Sequence, residues 1–347
     1  MARLREHPIA TTAFAFLLAA ATVAAIAGAY GFGRFADAWT HLEPAWIVLS
    51  ICASLLAPGA YVLAYRAVAR AHGGPELEPG MAARVVAAGF GPFAVGGGFA
   101  LDKRALQTLD SRSGRAATVR VLGLGALEWS LLAPVAWLSA IVLLITGRPH
   151  AMPSLLWPWI IAVPIGFGIG LWLAAPSRRD RFTAPGRPLA RLGLTLRGVG
   201  VLHLLARDIA TCWIAWAGAA LYWILEIAAF YGALRFVGLH PGAWATILAY
   251  ATGYALTRRS LPLGGAGATE ALMTFALHWV GLPVPSALAA VVVYRSGNFV
   301  LPMIPALMAR RHVKPLIDAA EDDGSERTAA GRQRSRAFVR PPERSSA

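Results

Sequence analysis

Lysine is almost missing from this chain. Lys103 and Lys314 are the only two, so the net charge of +14 rests on arginine. No Gly-x-x-x-x-Gly-Lys-Ser/Thr run occurs, which excludes a recognisable P-loop ATP motor. Cysteine is equally scarce. Cys52 and Cys212 both fall in apolar surroundings, which argues against a structural disulfide or a thiolate metal site. The histidines, His203 and His278 among them, lack metal-ligand spacing, and no Ser/His/Asp grouping stands out. No cofactor and no metal are therefore expected. The chain also lacks runs of short alternating strands, which excludes an outer-membrane barrel.

What it has instead is apolar sequence. Hydrophobic residues make up 57% of the 347 and charged residues only 14%, with a mean hydropathy of +0.55. That composition describes an all-α, polytopic integral membrane protein. Full spans are expected at Ile9–Tyr30, Trp46–Tyr65, Val119–Thr146, Met152–Ala174, Asp208–Phe236 and Val284–Met308. The first run is longer than a signal peptide's and many spans follow, so it reads as a retained helix. Gly166, Gly168 and Gly170 suggest a small-residue face for close helix packing. Basic loops such as Pro176–Arg207 fit the positive-inside rule and contact with anionic lipid better than nucleic-acid binding, for which no motif is present. Within that loop, Leu189–Leu205 alternates apolar and basic residues as an interfacial helix does. Counted this way, both termini face the cytoplasm, and Glu321–Ala347 reads as a disordered, basic cytoplasmic tail after a membrane domain over residues 1–308.

Two regions break the pattern. Ala243–Leu256 and Ala268–Val280 are apolar but too short to span comfortably, and Pro262 with Gly264, Gly265 and Gly267 joins them. They read as a re-entrant helical hairpin over about residues 243–280. Met81–Leu101 is followed by Lys103, Arg104, Arg112 and Arg115, charges that a crossing would carry outside. A second hairpin over about residues 81–115, broken at Gly96-Gly97-Gly98, removes that conflict. Each break is followed by an acid, Asp102 or Glu270, and about 25 positions later by a charge inside the next span, Glu128 or Arg295. Entry from opposite sides makes the two regions an inverted-topology repeat, whose binding site is expected near the midplane between the copies.

Charge at that depth marks candidate site residues. Glu270 sits in the first turn of a half-helix, where it complements the dipole, and the free N–H groups of that turn suit a phosphate or carboxylate. Arg295 either pairs with Glu128, Glu226 or Glu270, or clamps a phosphate head group. Arg258, Arg259 and Asn298 complete the constellation; Glu270, Glu128 and Asp102 would set one shared polar passage, and Glu226, like Glu128, reads as an ion-pair partner or a proton-coupling group.

The run Leu-Pro-Leu-Gly-Gly-Ala-Gly-Ala-Thr-Glu-Ala-Leu at 261–272, with Val-Gly-Leu at 280–282 and Tyr294-Arg295, resembles the signature of the lysylphosphatidylglycerol synthase transmembrane-region family, also described as flippase-like membrane proteins. Pro262, Gly264, Gly265, Gly267, Glu270 and Arg295 match that motif one by one. The first copy departs from it: Gly91-Pro92, Gly96-Gly97-Gly98 and Asp102 stand where relatives often show Asn and Pro-Gly-x-x-Gly-Glu. The resemblance implies a helical bundle with two re-entrant hairpins that moves a lipid or lipid-linked head group across the bacterial cytoplasmic membrane. Its partners would be anionic phospholipid or polyprenyl-phosphate-linked lipid, and a lipid-modifying enzyme. Some relatives carry an aminoacyl-transferase domain, and the residues after the last span are too few to form one. The alternatives are a membrane-embedded transferase acting on a polyprenyl-phosphate and a non-catalytic membrane subunit.

Overall fold

Hydrocarbon offers no hydrogen bonds, so apolar chain of this length satisfies its own backbone by folding as helix. The computed structural model describes residues 8–71, 73–91, 98–109, 114–146, 151–183, 192–254, 262–309 and 311–315, and among them there is no strand. The order is α1 (Pro8–Tyr30), α2 (Phe32–Asp37), α3 (Ala45–Arg70), α4 (Pro79–Phe90), α5 (Gly98–Leu109) and α6 (Gly114–Ile145). Then come α7 (Pro153–Trp157), a π turn at Pro158–Ala162, α8 (Val163–Ala174), α9 (Pro176–Phe182), α10 (Gly193–Arg207) and α11 (Ile209–Phe236). The chain continues through α12 (Ala243–Gly253), a 3₁₀ turn at Pro262–Gly265, α13 (Ala268–Trp279) and α14 (Val284–Arg295), with a π turn at Ser296–Val300.

Six helices among the described residues are long and apolar enough to cross a membrane: Ile9–Tyr30, Ala45–Arg70, Gly114–Ile145, Pro153–Ala174, Ile209–Phe236 and Val284–Ala309. The protein is a multi-pass, all-α membrane protein, and the six agree with the expected spans. The short helices α2 and α9 fall in segments that read as loops from composition. Arg258, Arg259, Gly96, Gly97 and the tail 321–347 lie outside the described residues.

The centre of the bundle is the pair α3 and α11, the most extensive helix contact in the molecule. A Cβ on Gly218 would stand 2.6 Å from the Ala64 nitrogen, and one on Gly232 would stand 2.8 Å from the Ser50 nitrogen. The later glycine meets the earlier part of α3, so the two helices run antiparallel with their backbones nearly touching. Dispersion between close backbones is what holds helices together in lipid, where the hydrophobic effect between them is lost. The expectation for Gly166, Gly168 and Gly170 is corrected here, because a Cβ on any of the three would meet nothing within 4 Å. Small residues mark a close approach only where a second helix faces them.

The short helices pair as hairpins, α4 against α5 and α12 against α13. Gly253, ending α12, admits the Met273 backbone: its Cβ would lie 2.6 Å from that Cα. Helix pairing also repeats between halves. When α1, α3 and α6 exchange with α10, α11 and α14, the contact of α1 with α14 becomes that of α10 with α6. Likewise the contact of α3 with α6 becomes that of α11 with α14. Since the exchanged α3 and α11 are antiparallel, the repeat is an inverted one. The exchange is incomplete, for α12 packs along α6 while α4 has no comparable contact with α14.

A substitution pair tests this packing. Gly232→Ala is expected to lower stability by about 1–3 kcal/mol, because the methyl meets backbone that cannot give. Gly168→Ala is expected to stay within about 0.5 kcal/mol of the parent. Thermal unfolding of the purified protein in detergent distinguishes the two.

Candidate functional site

The 3₁₀ turn after α12 is built from backbone that turns the unusual way. Leu263, Gly264, Gly265 and Gly267 all have positive φ, at 59°, 62°, 71° and 82°. Glycine adopts this region freely, whereas Leu263, the one non-glycine residue there among those described, is strained by about 1–2 kcal/mol. The turn leaves backbone groups without helical partners, and two side chains take them. The Gly267 N–H donates to Glu270 Oε2 at 2.6 Å, which closes the N-terminus of α13. The Gly264 carbonyl accepts from Arg295 Nη2 at 3.2 Å.

Arg295 and Glu270 meet directly. Arg295 Nε donates to Glu270 Oε1 at 2.7 Å, and the side chains are only 6% and 3% exposed. Of the three acids offered as partners for Arg295, the structure selects Glu270. The guanidinium also reaches Asn298 Oδ1 at 3.4 Å and lies over the Phe299 ring at 4.4 Å. Asn298 and Phe299 reach these places because the helix widens into its π turn directly after Arg295, a distortion common at functional sites.

Asn298 carries the network onward. Its Nδ2 donates to both Glu226 oxygens, at 2.9 and 3.0 Å, while its Oδ1 accepts from the Tyr254 hydroxyl at 3.1 Å. Tyr250 donates to Glu226 Oε2 at 3.2 Å, and the Tyr294 hydroxyl donates to the same oxygen. One guanidinium and two carboxylates are thus held by named donors and acceptors, all within a buried space. Ser50 and Ser54, a turn apart on α3, add buried hydroxyls beside the π turn. Ser54 Oγ lies 2.9 Å from where a Gly297 Cβ would stand, and neither hydroxyl has a hydrogen-bond partner among the described residues.

The first copy's acids are buried as well. Asp102 is fully buried; its Oδ2 accepts from the Tyr61 hydroxyl at 2.9 Å and its carbonyl from Tyr65 at 3.0 Å. Glu128 is buried, and its backbone carbonyl accepts from Trp223 Nε1 at 2.8 Å. What joins them to the network is an aromatic column. Tyr61 meets Tyr222 at 5.8 Å, Tyr222 meets Trp223 at 5.1 Å, Trp223 meets Tyr250 at 6.0 Å, and Tyr250 meets Tyr254 at 5.3 Å and Tyr294 at 6.3 Å. Among the described residues, aromatic rings meeting mostly edge to face run from the Tyr61–Asp102 contact to the Glu226 network.

The structure therefore brings together Arg295, Glu270, Gly264, Gly267, Asn298 and Glu226, with Gly265 buried in the same turn. Asp102 meets the other end of the column at Tyr61, and the Glu128 carbonyl meets its middle at Trp223. The tyrosines other than Tyr294 escaped the sequence reading, though a signal was present. The pairs Tyr61/Tyr65, Tyr222/Glu226 and Tyr250/Tyr254 each repeat at i and i+4, one face of a helix, inside otherwise apolar spans. Among the described residues, no three of His, Cys, Asp and Glu converge as ligands of a metal ion would.

Removing one partner of a buried ion pair strands the other, at about 3–5 kcal/mol. Arg295→Ala and Glu270→Ala are each expected to cost that much, and the double variant less than their sum, a coupling of about 0.5–3 kcal/mol. A double-mutant cycle on unfolding in detergent measures it, and additive costs would show that the pair contributes nothing as a pair. No protein-family model matches the chain, and no curated protein matches it significantly.

Proposed function

We propose that this membrane protein translocates a phosphate-bearing lipid, or a lipid-linked head group, across a bacterial cytoplasmic membrane in which both termini face the cytoplasm. The observation that carries the reading is the Glu270–Arg295–Asn298–Glu226 network at a broken helix pair inside a bundle of spans. A charge left alone there costs about 3 kcal/mol or more, so a network of this kind is uncommon without a function. The resemblance of residues 261–272 and 294–295 to the flippase-like family points the same way. In this reading the acyl tails stay in the bilayer while the head group passes the polar cluster. Arg295 exchanges a bond to Glu270 or Asn298 for one to phosphate, which a guanidinium does readily because its five donors point in fixed, separate directions. Arg258 and Arg259 are assigned the phosphate at entry. Ser50 and Ser54 supply hydroxyls beside the turn. A lipid-modifying enzyme would supply or consume the lipid.

Reconstitution in liposomes with fluorescent phospholipids tests the proposal. The parent protein is expected to exchange lipid between leaflets faster than empty vesicles do. Arg295→Lys keeps the charge but cannot reach Glu270, Asn298 and Gly264 together, and is expected to slow exchange by about tenfold, the equivalent of 1.4 kcal/mol. Parent protein no faster than empty vesicles over a range of anionic lipids would refute translocation.

A further inference from the structure

A second site lies away from the network. Helices α6, α8, α9 and α10, with the end of α3, enclose a cavity of about 970 Å³. Arg115, Arg120, Arg179, Arg197, Arg207 and His203 line it, and no carboxylate does among the described residues. Asp180 lies 3.0 Å from Arg179 and 3.8 Å from Arg197. The hydrogen bond from the Arg179 guanidinium holds the Asp180 carboxyl below the usual range. Five arginines among the described lining residues make its wall basic. The arginines come from three separate helices, so the fold and not one basic stretch of sequence assembles them.

The other walls are apolar: Val68, Val119, Leu194, Val201 and Leu204. On the opposite face of α10, Thr195, Val199 and Leu202 help α6 and α8 enclose a further space of about 290 Å³, lined almost wholly by apolar side chains. Its α6 residues, Leu122, Ala126 and Trp129, lie further along that helix than Arg115 and Arg120. Next in sequence to the lining residue Arg179, Arg178 lies over the Trp172 ring at 4.6 Å, and Trp172 packs beside Phe182 at 6.1 Å. Indole and arginine side by side mark the level at which a membrane meets water. Here, then, arginines ring a cavity with apolar walls at the depth of lipid head groups.

We propose that this cavity holds the phosphate-bearing head group of an anionic membrane lipid, in a site distinct from the Glu270–Arg295 network. The arginine forks take the phosphate oxygens, and the apolar walls take the first carbons of the chains. Phosphate is the shared chemistry, and it could come from a lipid or from water. The apolar walls and the Arg178–Trp172 pair favour the lipid. This inference does not rest on translocation, because binding is read without any transport.

The full-length protein, purified in detergent with a mixture of phosphatidylglycerol and phosphatidylcholine, is examined by native mass spectrometry. The parent is expected to retain phosphatidylglycerol in preference. Each of Arg115→Ala, Arg197→Ala and Arg207→Ala is expected to lower retention by about fivefold, and the three together by about a hundredfold. The corresponding triple Lys variant keeps the charge but not the forks, and is expected to retain more phosphatidylglycerol than the triple Ala variant and less than the parent, which separates loss of charge from loss of fold. Equal retention by the parent and the triple Ala variant would overturn the site. Retention of inorganic phosphate alone, as tight as that of the lipid, would overturn the lipid as its occupant.

Discussion

The structure depends on keeping Glu270 and Arg295 satisfied where water does not reach. Their contact of 2.7 Å is not sufficient, because each group has further donors or lone pairs to fill. Intact helices offer none, since every interior N–H and C=O is already bonded along the axis. The break at Pro262–Gly265 frees the Gly264 carbonyl for Arg295, and the Gly267 N–H closes onto Glu270. The π turn after Arg295 then swings Asn298 inward, where it bridges to Glu226. The irregular backbone is thus the supply of partners for the charges, and the charges in turn fix the irregular backbone. Neither survives without the other.

Around that network the two halves share architecture. The antiparallel α3 and α11 form an axis about which hairpins and spans exchange, and the acid behind each break is buried. Glu270 accepts from a guanidinium and a backbone N–H, and Asp102 accepts from the Tyr61 hydroxyl. Six of the chain's eight tyrosines, Tyr61, Tyr65, Tyr222, Tyr250, Tyr254 and Tyr294, are buried between these two ends. Tyrosine suits that position because its ring packs as hydrocarbon while its hydroxyl serves a carboxylate.

This architecture explains what could be read in advance. Spans and hairpins were legible because length and apolarity alone decide whether chain can cross hydrocarbon, and Lys103 with Arg104 forbade a crossing after Met81–Leu101. Glu270, Arg295 and Asn298 were legible because charge and amide are conspicuous among apolar residues. The partner of Arg295 was not. Three acids were available, and the choice depends on which helix faces the π turn. Gly166, Gly168 and Gly170 misled for the same reason, since a stripe of small residues has no direction in sequence, while Gly218 and Gly232, fourteen positions apart, showed no pattern until α3 lay against them. The tyrosines were passed over because each alone reads as an ordinary aromatic.

The near-absence of lysine with which the sequence begins acquires a physical reading from these two sites. Arg295 bonds in three directions at once, to a carboxylate, an amide oxygen and a backbone carbonyl, and stacks on a ring. An ammonium, compact and strongly hydrated, would leave part of that set unfilled and would lose more solvation on entering. At the basic end, the arginines of α6, α9 and α10 surround a cavity and do not point singly into water, the geometry in which planar forks outperform point charges. Buried pairing and phosphate recognition are different tasks, but they make the same demand: several directed donors on one cation that is weakly hydrated. A membrane protein that performs both has reason to spend its positive charge on arginine.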